Sequence, residues 1–537
     1  MTPEEFREYG RQVVDWVADY WENIESRPVG ARVEPGEIAS ALPVEAPEKG
    51  EPFSAVLADL DRVVMPGITH WQHPSFYAYF PANASGPAVL GDLLSSGLAV
   101  QGMLWATSPA VTEVETVVMD WLAKLLALPE RILGSGVIQD TASSSVLCAL
   151  VAALHRASGG AVRTDGIHER YAVYLSPESH SAGEKAVRIS GLGDAAIRVL
   201  DIDPSSLSVT ADSLRAAVAA DRAAGVTPLF VLATVGTTST SAIDPVRALG
   251  EVCRAEGMWL HVDAAYAGVA AVCPGFRWLN DGLELADSYA TNPHKWLLTN
   301  FDCDAFWVAD PDALVGAISV LPEFLRNAQT ESGAVIDYRD WQVPLGRRFR
   351  ALKLWAVLRW YGAEGLRAHI RGHVALAQEL AGWADADERF DVVTPHPFSL
   401  VCLRPRWADD VDADVATMTL LERLNDGGEV FLTHTTVGGT PVLRVAIGSP
   451  TTTRAHVERV WTLLREGHDW LAADFAAAAA ERAAEQERAR VAAEEARAAA
   501  ERDRAAAEPV STSDDVPPVE ETAAVLDETD AVRPSAP

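Results

Sequence analysis

Trp259-Leu260-His261-Val262-Asp263-Ala264-Ala265-Tyr266 decides the fold. Five residues rich in large apolar groups end on a carboxylate, and two alanines follow. That is the signature of a buried strand whose last side chain meets the space beyond a sheet. The same form recurs on either side. Ala172 to Leu175 (AVYL), Leu229 to Thr234 (LFVLAT) and Ala305 to Ala309 (AFWVA) are short apolar strands. Residues 211–223 and 245–256 between them have helical spacing, and Asp244-Pro245 suits a helix start, with an N-cap carboxylate and Pro at the first helical position. Strands alternating with helices predict an α/β domain around a mostly parallel sheet.

Further out, residues 3–25 predict an amphipathic helix, with Phe6, Val13, Val14, Val17 and Trp21 at helical intervals. So apolar a helix needs a surface to cover. Residues 27–50, rich in Pro, Gly and Glu, read as an extended linker. His70 to Pro81 (HWQHPSFYAYFP) is dense in aromatics, as cores, interfaces and ligand pockets all are. Residues 350–385 are strongly helical, and 390–472 alternate short strands with helices, as a smaller α+β domain does. From 475 to 508 the chain is nearly all Ala, Glu and Arg, with high helix propensity and little to bury. Residues 509–537 are Pro-rich and acidic and are expected to be disordered. The division this gives is 1–80, an N-terminal helical segment; 81–370, the large domain; 371–474, the small C-terminal domain; then the two tail segments.

With 537 residues the chain is long enough for two or three domains, and 48% hydrophobic content supplies a large core. It carries 76 Asp and Glu against 44 Lys and Arg, a field that repels nucleic acid and anionic membranes. No apolar run reaches the roughly 20 residues needed to span a bilayer, and the first twenty residues lack the apolar core of a signal peptide. The five cysteines form no CxxC pair, and their spacing suits neither a zinc site nor a disulfide framework. A cytoplasmic protein with no metal is expected.

Five stretches carry chemistry. Asn292-Pro293-His294-Lys295-Trp296 sets a lysine in an apolar segment, where burial would make it a usable amine nucleophile, although a lysine snorkelling to solvent reads the same way. Asp263 can hold a pyridine nitrogen protonated at the carboxyl edge of a sheet, or cap a helix. Gly136 to Ser143 (GVIQDTAS) leads into a helix and offers a phosphate site or ordinary capping. His180 follows the AVYL strand and can stack on a ring or move a proton. Thr234-Val235-Gly236-Thr237-Thr238 brings hydroxyls to another strand end.

Together these residues resemble the pyridoxal-dependent aromatic amino acid decarboxylases, and the likeness runs from about residue 3 to residue 470. THWQHPSFYAYFPA, SPAVTEVETVVMDWLAKLLALP, GVIQDTAS, HVDAAYAG, NPHKW and DYRDWQVPLGRRFRALKLW all fit that family. The resemblance implies a fold-type-I pyridoxal 5'-phosphate enzyme working as a homodimer, with the N-terminal segment wrapping the partner subunit. It implies that Lys295 carries the cofactor as a Schiff base and that Asp263 pairs with the ring nitrogen. His180 would stack on one ring face and Ala265 on the other. Ala142, Ser143 and Asn292 would hold the phosphate, with Thr238 and His294 beside the cofactor. Trp71, Tyr79, Phe80 and Pro81 would line a pocket for an aromatic side chain. Ala82 stands where the family has threonine. Asp140 and Thr141 replace a more usual Gly-Ser, and Met103, expected to enter the partner's site, replaces a Phe of some members. Gly346 leaves space that in this family goes with larger rings such as indole.

The implied activity is decarboxylation of an aromatic L-amino acid (DOPA, tyrosine, tryptophan or phenylalanine) to the amine. One departure bears on the product. The family's loop tyrosine, the usual acid for the last protonation, is matched here by Phe324 in SVLPEFLRN. Members with phenylalanine there are associated with an aromatic aldehyde, ammonia and hydrogen peroxide. Either another acid, such as His180 or water, completes decarboxylation, or the aldehyde is the product. A non-catalytic pyridoxal-binding scaffold and a glutamate decarboxylase are weaker rivals. The intact Lys, Asp and His set argues against the first, and the aromatic cluster at 71–81 against the second.

Overall fold

Strand β7, Trp259–Asp263, lies at the centre of a seven-stranded sheet, wholly buried along its length. The structure is a computed structural model and describes residues 1–80, 82–320 and 335–506. The chain divides into two compact units, Met1–Ala472 and Ala473–Pro537.

Nine strands precede the small sheet: β1 (Gly136–Gln139), β2 (Tyr171–Leu175), β3 (Ile197–Val199), β4 (Ile202–Asp203), β5 (Ser208–Val209), β6 (Thr227–Thr234), β7, β8 (Ser288–Thr291) and β9 (Asp304–Val308). The large sheet has the order β1-β9-β8-β7-β6-β2-β3, while β4 and β5 form a separate pair. From β8 to β3 the pairings are parallel; β9 runs antiparallel to both β8 and β1. The expected parallel core is therefore present, and one reversed strand interrupts it near the edge. β1 and β8 consequently point the same way, and β1, β2, β6, β7 and β8 all end at one edge of the sheet. β9 begins there.

Side-chain alternation divides the strands between two cores. Val231, Ala233, Leu260 and Val262 face one, with Leu354, Val357 and Leu366 of the helix Ala351–Asp385. Phe230, Leu232 and Trp259 face the other, with Val146, Ala149, Leu150 and Ala153 of the helix Ala142–Ala157. Burial on both faces explains why these strands read as continuous apolar runs.

A second sheet, in the order β10-β11-β13-β12, is wholly antiparallel; its strands are β10 (Phe390–Val392), β11 (Leu400–Pro405), β12 (Thr433–Val437) and β13 (Thr440–Ala446). The helix Arg454–Ala506 supplies Val457, Val460, Leu464 and Leu471 to the core of the first unit. In the second unit, residues 473–506 are helical and mostly exposed, and Arg490 pairs with Glu487 and Glu494.

Local expectations met two corrections. The helix expected over 245–256 is Val246–Glu256, but Asp244 does not cap it. Its carboxylate instead accepts the amides of Val209 (3.0 Å) and Thr234 (2.8 Å), tying β5 to the end of β6. Residues 27–50 contain one turn of helix, Glu37–Ser40. The N-terminal helix is Pro3–Glu22, closed by a Thr2–Glu5 capping box, and it buries none of its residues within this chain. Among the described residues no helix is long and apolar enough to cross a membrane, and no His, Cys, Asp and Glu group could hold a metal. All five cysteines are buried free thiols. Pro81, Phe324 and the segment 509–537 lie outside the described residues.

Candidate active site

A cavity of about 210 Å³ opens at the sheet edge where the parallel strands end. Ligands of parallel α/β sheets bind at such edges because loops diverge there and leave backbone groups free. Ala142, Ser143, His180, Thr238, Asp263, Ala265, Asn292, His294 and Lys295 all line it. They arrive on five separate strand ends, so the fold gathers residues up to 153 positions apart, from Ala142 to Lys295.

Lys295 sits in a single helical turn, Pro293–Trp296, after β8. Asn292 precedes it; the Asn292 amide donates to the Ala265 carbonyl (2.9 Å), and the Lys295 amide to the Asn292 carbonyl (3.0 Å). These bonds tie the lysine turn to the end of β7. Burial lowers the Lys295 pKa, opposed first by Asp263 and then by Asp304. The half-buried side chain lines the cavity, with Asp263 and Asp304 as the carboxyl groups that act on its amine, which favours the cavity over the snorkelling alternative. Asp263 caps no regular helix; one of its oxygens accepts the Ala265 amide at 3.0 Å, which fixes the carboxylate at the cavity wall.

At the opposite wall the helix Ala142–Ala157 begins with no side-chain cap. Ala142 and Ser143 bring unpaired leading amides to the cavity, and the helix dipole adds partial positive charge. His180 Nδ1 accepts the Ala182 amide at 3.1 Å, so its proton is on Nε2, and burial lowers its pKa. His294 Nδ1 likewise accepts the Cys303 amide at 2.9 Å, and burial beside Lys295 pushes its pKa down to about 3. Both rings are neutral at pH 7 and offer an N–H.

Thr141, Thr234, Gly236, Tyr266 and Phe301 also line the cavity. Tyr266 and Phe301 are the additions that matter. Tyr266 stacks on Phe80 (centroids 3.7 Å apart) and on Trp296 (4.9 Å), and its hydroxyl meets Ser399 at 2.5 Å. Phe301 packs edge-on against His294 at 4.7 Å. Both stand in stretches singled out for neighbouring residues, three positions after Asp263 and six after Lys295. Arg444 of β13 braces the loop that carries Thr238 from the small sheet. It donates to the carbonyls of Thr238 (2.6 Å), Ser239 (3.0 Å) and Tyr79 (3.3 Å) and to the Thr433 hydroxyl (2.9 Å).

Of the residues expected around the substrate ring, only His180 lines this cavity among the described residues. Phe80 backs it through Tyr266. Trp71 and Tyr79 stack on each other at 5.4 Å and are partly exposed. The Ala82 carbonyl accepts the Gln72 side chain, the Met103 carbonyl accepts the Arg339 amide, and Gly346 lies beside Gln101.

The donor set fits pyridoxal 5'-phosphate. A carboxylate, a buried amine, uncapped helix amides and neutral imidazoles face one space. The Thr234 hydroxyl and the Asn292 amide oxygen are buried there without partners.

Comparison with known proteins agrees with that chemistry. Residues 35–406 match the pyridoxal-dependent decarboxylase conserved domain. The chain is 46% identical to phenylacetaldehyde synthase of Arabidopsis thaliana, covering 88% of this chain and 97% of that one. It is 44% identical to tryptophan decarboxylase 2 of Oryza sativa subsp. japonica, over 87% and 95%. The solved structure of Oryza sativa TDC with PLP and tryptamine superposes with a TM-score of 0.85 at 41% identity, covering 88% of this chain and 99% of that one. The chain belongs to the pyridoxal-dependent decarboxylase family, and its cofactor is pyridoxal 5'-phosphate.

Proposed function

We propose that this enzyme removes the carboxylate of an aromatic L-amino acid as carbon dioxide and releases the amine. The observation that carries the reading is the buried Lys295 amine sharing one cavity with Asp263. Similarity to enzymes named for tryptophan and tyrosine supports an aromatic substrate.

When bound, pyridoxal 5'-phosphate supplies an electron-withdrawing ring that accepts the bonding pair at Cα as carbon dioxide departs. The chain's residues would do the rest. Lys295, its pKa lowered by burial, would attach the cofactor and be displaced by the substrate amine. Asp263 would keep a proton on the ring nitrogen. Ala142, Ser143 and Asn292 would hold the phosphate, with Thr238 and His294 beside it. His180 would lie against one ring face and Ala265 against the other. The same division of the chain follows: an N-terminal dimerisation segment to residue 80, the cofactor domain to 370 and the small domain to 474.

The partner would be a second copy. Phe6, Val14, Leu93 and Leu94 are exposed, and Met1, Phe6, Val13, Val14, Phe53 and Leu93 line an apolar groove. A dimer would bring Met103 and the aromatic segment at 71–82 to the site. Sedimentation at micromolar concentration tests this; a monomer would count against it.

A second reading has its own observation. Phe324 has no proton to give, and a relative 46% identical is named phenylacetaldehyde synthase. The amino acid, dioxygen and water would then yield aldehyde, carbon dioxide, ammonia and hydrogen peroxide. Incubation with tryptophan, tyrosine, phenylalanine and DOPA in air, with assays for amine, aldehyde and peroxide, separates the two. Amine is expected to dominate; peroxide equal to substrate consumed, with little amine, would reverse the assignment.

A further inference from the structure

Asp304 opens β9 and has no part in the machinery described so far. Because β9 runs against both neighbours, its first residue stands at the edge where β1 and β8 end. Asp304 pairs across from Gln139, and Ala305 from Thr291. The side chain is wholly buried. Oδ2 accepts the hydroxyl of Ser145, itself wholly buried in the first turn of the helix Ala142–Ala157. Oδ1 is buried with no hydrogen-bond partner.

The surroundings are poor for a charge. Lys295 faces Asp304 from the turn after β8. Asp263 at the end of β7 and Asp140 ahead of the helix both repel it. From the helix comes Cys148, and on its own strand side Cys303; burial pushes both thiols up to about 12, so neither adds charge near neutrality. One hydroxyl and one amine thus stand against two carboxylates and full desolvation, and burial raises the Asp304 pKa to about 8. A phosphate at the leading amides of the same helix adds further negative charge at that turn.

We propose that Asp304 is a cofactor-retention residue that works as the neutral acid: held by Ser145 behind the phosphate cradle, it leaves that place free of negative charge when protonated and weakens phosphate binding when ionised. The inference rests on assigning the cavity to pyridoxal 5'-phosphate. Asp304 touches no part of the cofactor; it acts by its charge, from the place behind the cradle where Ser145 holds it. Loading the ionised protein takes up one proton from solvent onto the carboxyl group. Affinity therefore falls by about tenfold per pH unit above the Asp304 pKa, the slope linkage requires for one proton.

The probe is pyridoxamine 5'-phosphate, which forms no bond to Lys295, titrated into the full-length cofactor-free chain and followed by tryptophan fluorescence between pH 6.5 and 9.5. Wild type is compared with Asp304→Asn, which keeps the shape and removes the titration. The ligand's own titrations cancel in the ratio of dissociation constants, wild type over variant. That ratio is expected to be flat to about pH 7.5 and then to rise, reaching about tenfold by pH 9 and about thirtyfold by pH 9.5. Loss of Asp304 also lowers the Lys295 pKa, which moves the ratio the other way, so a rise identifies Asp304. A constant or falling ratio overturns the proposal. Ser145→Ala removes a bond that favours the ionised form, so its break should move to higher pH. An unmoved break also overturns it, and this variant serves if Asp304→Asn fails to fold. No binding to either protein at any pH would remove the cavity assignment itself, and the inference with it.

Discussion

Arg347 and Glu115 form a two-bonded ion pair, 2.7 and 3.1 Å, with both side chains shut away from water. Glu115 also accepts the Ile138 amide, and Arg347 donates to the Ile138 carbonyl, each at 2.9 Å. The pair thus clamps β1, the strand that leads into the helix Ala142–Ala157. Removing one partner strands the other charge in the interior. Glu115→Gln or Arg347→Met is expected to cost about 3–5 kcal/mol, read from urea unfolding. The double replacement Glu115→Leu with Arg347→Met should cost less than the sum, because no charge is left unpaired.

Lys295→Ala should lower kcat by at least about 10²–10⁴-fold, the usual loss for one proton-transfer group, and more if covalent attachment is rate-determining. The separate readout is mass: borohydride should fix the cofactor to wild type and not to the variant. Cofactor fixed elsewhere on the variant would mean that Lys295 is not the attachment point.

Phe324→Tyr restores a phenol at the loop position where the chain has none. The ratio of amine to aldehyde should rise, measured by chromatography with peroxide followed in parallel. An unchanged ratio would show that the acid for Cα comes from elsewhere.

His373 predicts an acid limit to stability. Its Nδ1 accepts the Trp296 indole N–H at 3.0 Å, directly after Lys295 in sequence, and burial pushes its pKa from 6.5 down to about 4. The unfolded chain takes up a proton near 6.5 and the folded chain only near 4. The contribution is therefore present above pH 6.5 and lost as pH falls toward 4. Between pH 7.5 and 4.5 this is on the order of 2–3 kcal/mol. Urea titrations of wild type and His373→Gln should differ in slope by that amount; parallel slopes would mean that the ring is already charged in the folded state.

The central fold was legible because its strands are buried on both faces. Trp259–Asp263 is rich in large apolar groups, and its end is marked by a carboxylate. Gly136–Gln139 and Ser288–Thr291 were not readable as strands. Each has four residues, at least two of them small or polar, too few to show a period. The reversal of β9 is likewise silent, since an apolar run reads the same in either direction. At the site, Lys295 and Asp263 announced themselves by charge in apolar sequence, and His180 by its place just after a strand. Tyr266 and Asp304 did not. Tyr266 gains its place from the stack with Phe80 and Trp296, and Asp304 from the fold that sets it behind Ser145.

Arg444 puts a schedule on the making of this protein. The guanidinium that holds the Thr238 carbonyl lies 206 residues further along the chain. At the roughly 5–20 residues per second of synthesis, that carbonyl waits about 10–40 s for its guanidinium after Thr238 has been joined. The strands of the large sheet can pair in that interval, but the loop that carries Thr238 cannot yet be pinned by Arg444. A nascent chain stopped before β13 would therefore leave the ribosome with every residue of the cavity wall made and the loop at Thr238 unfastened.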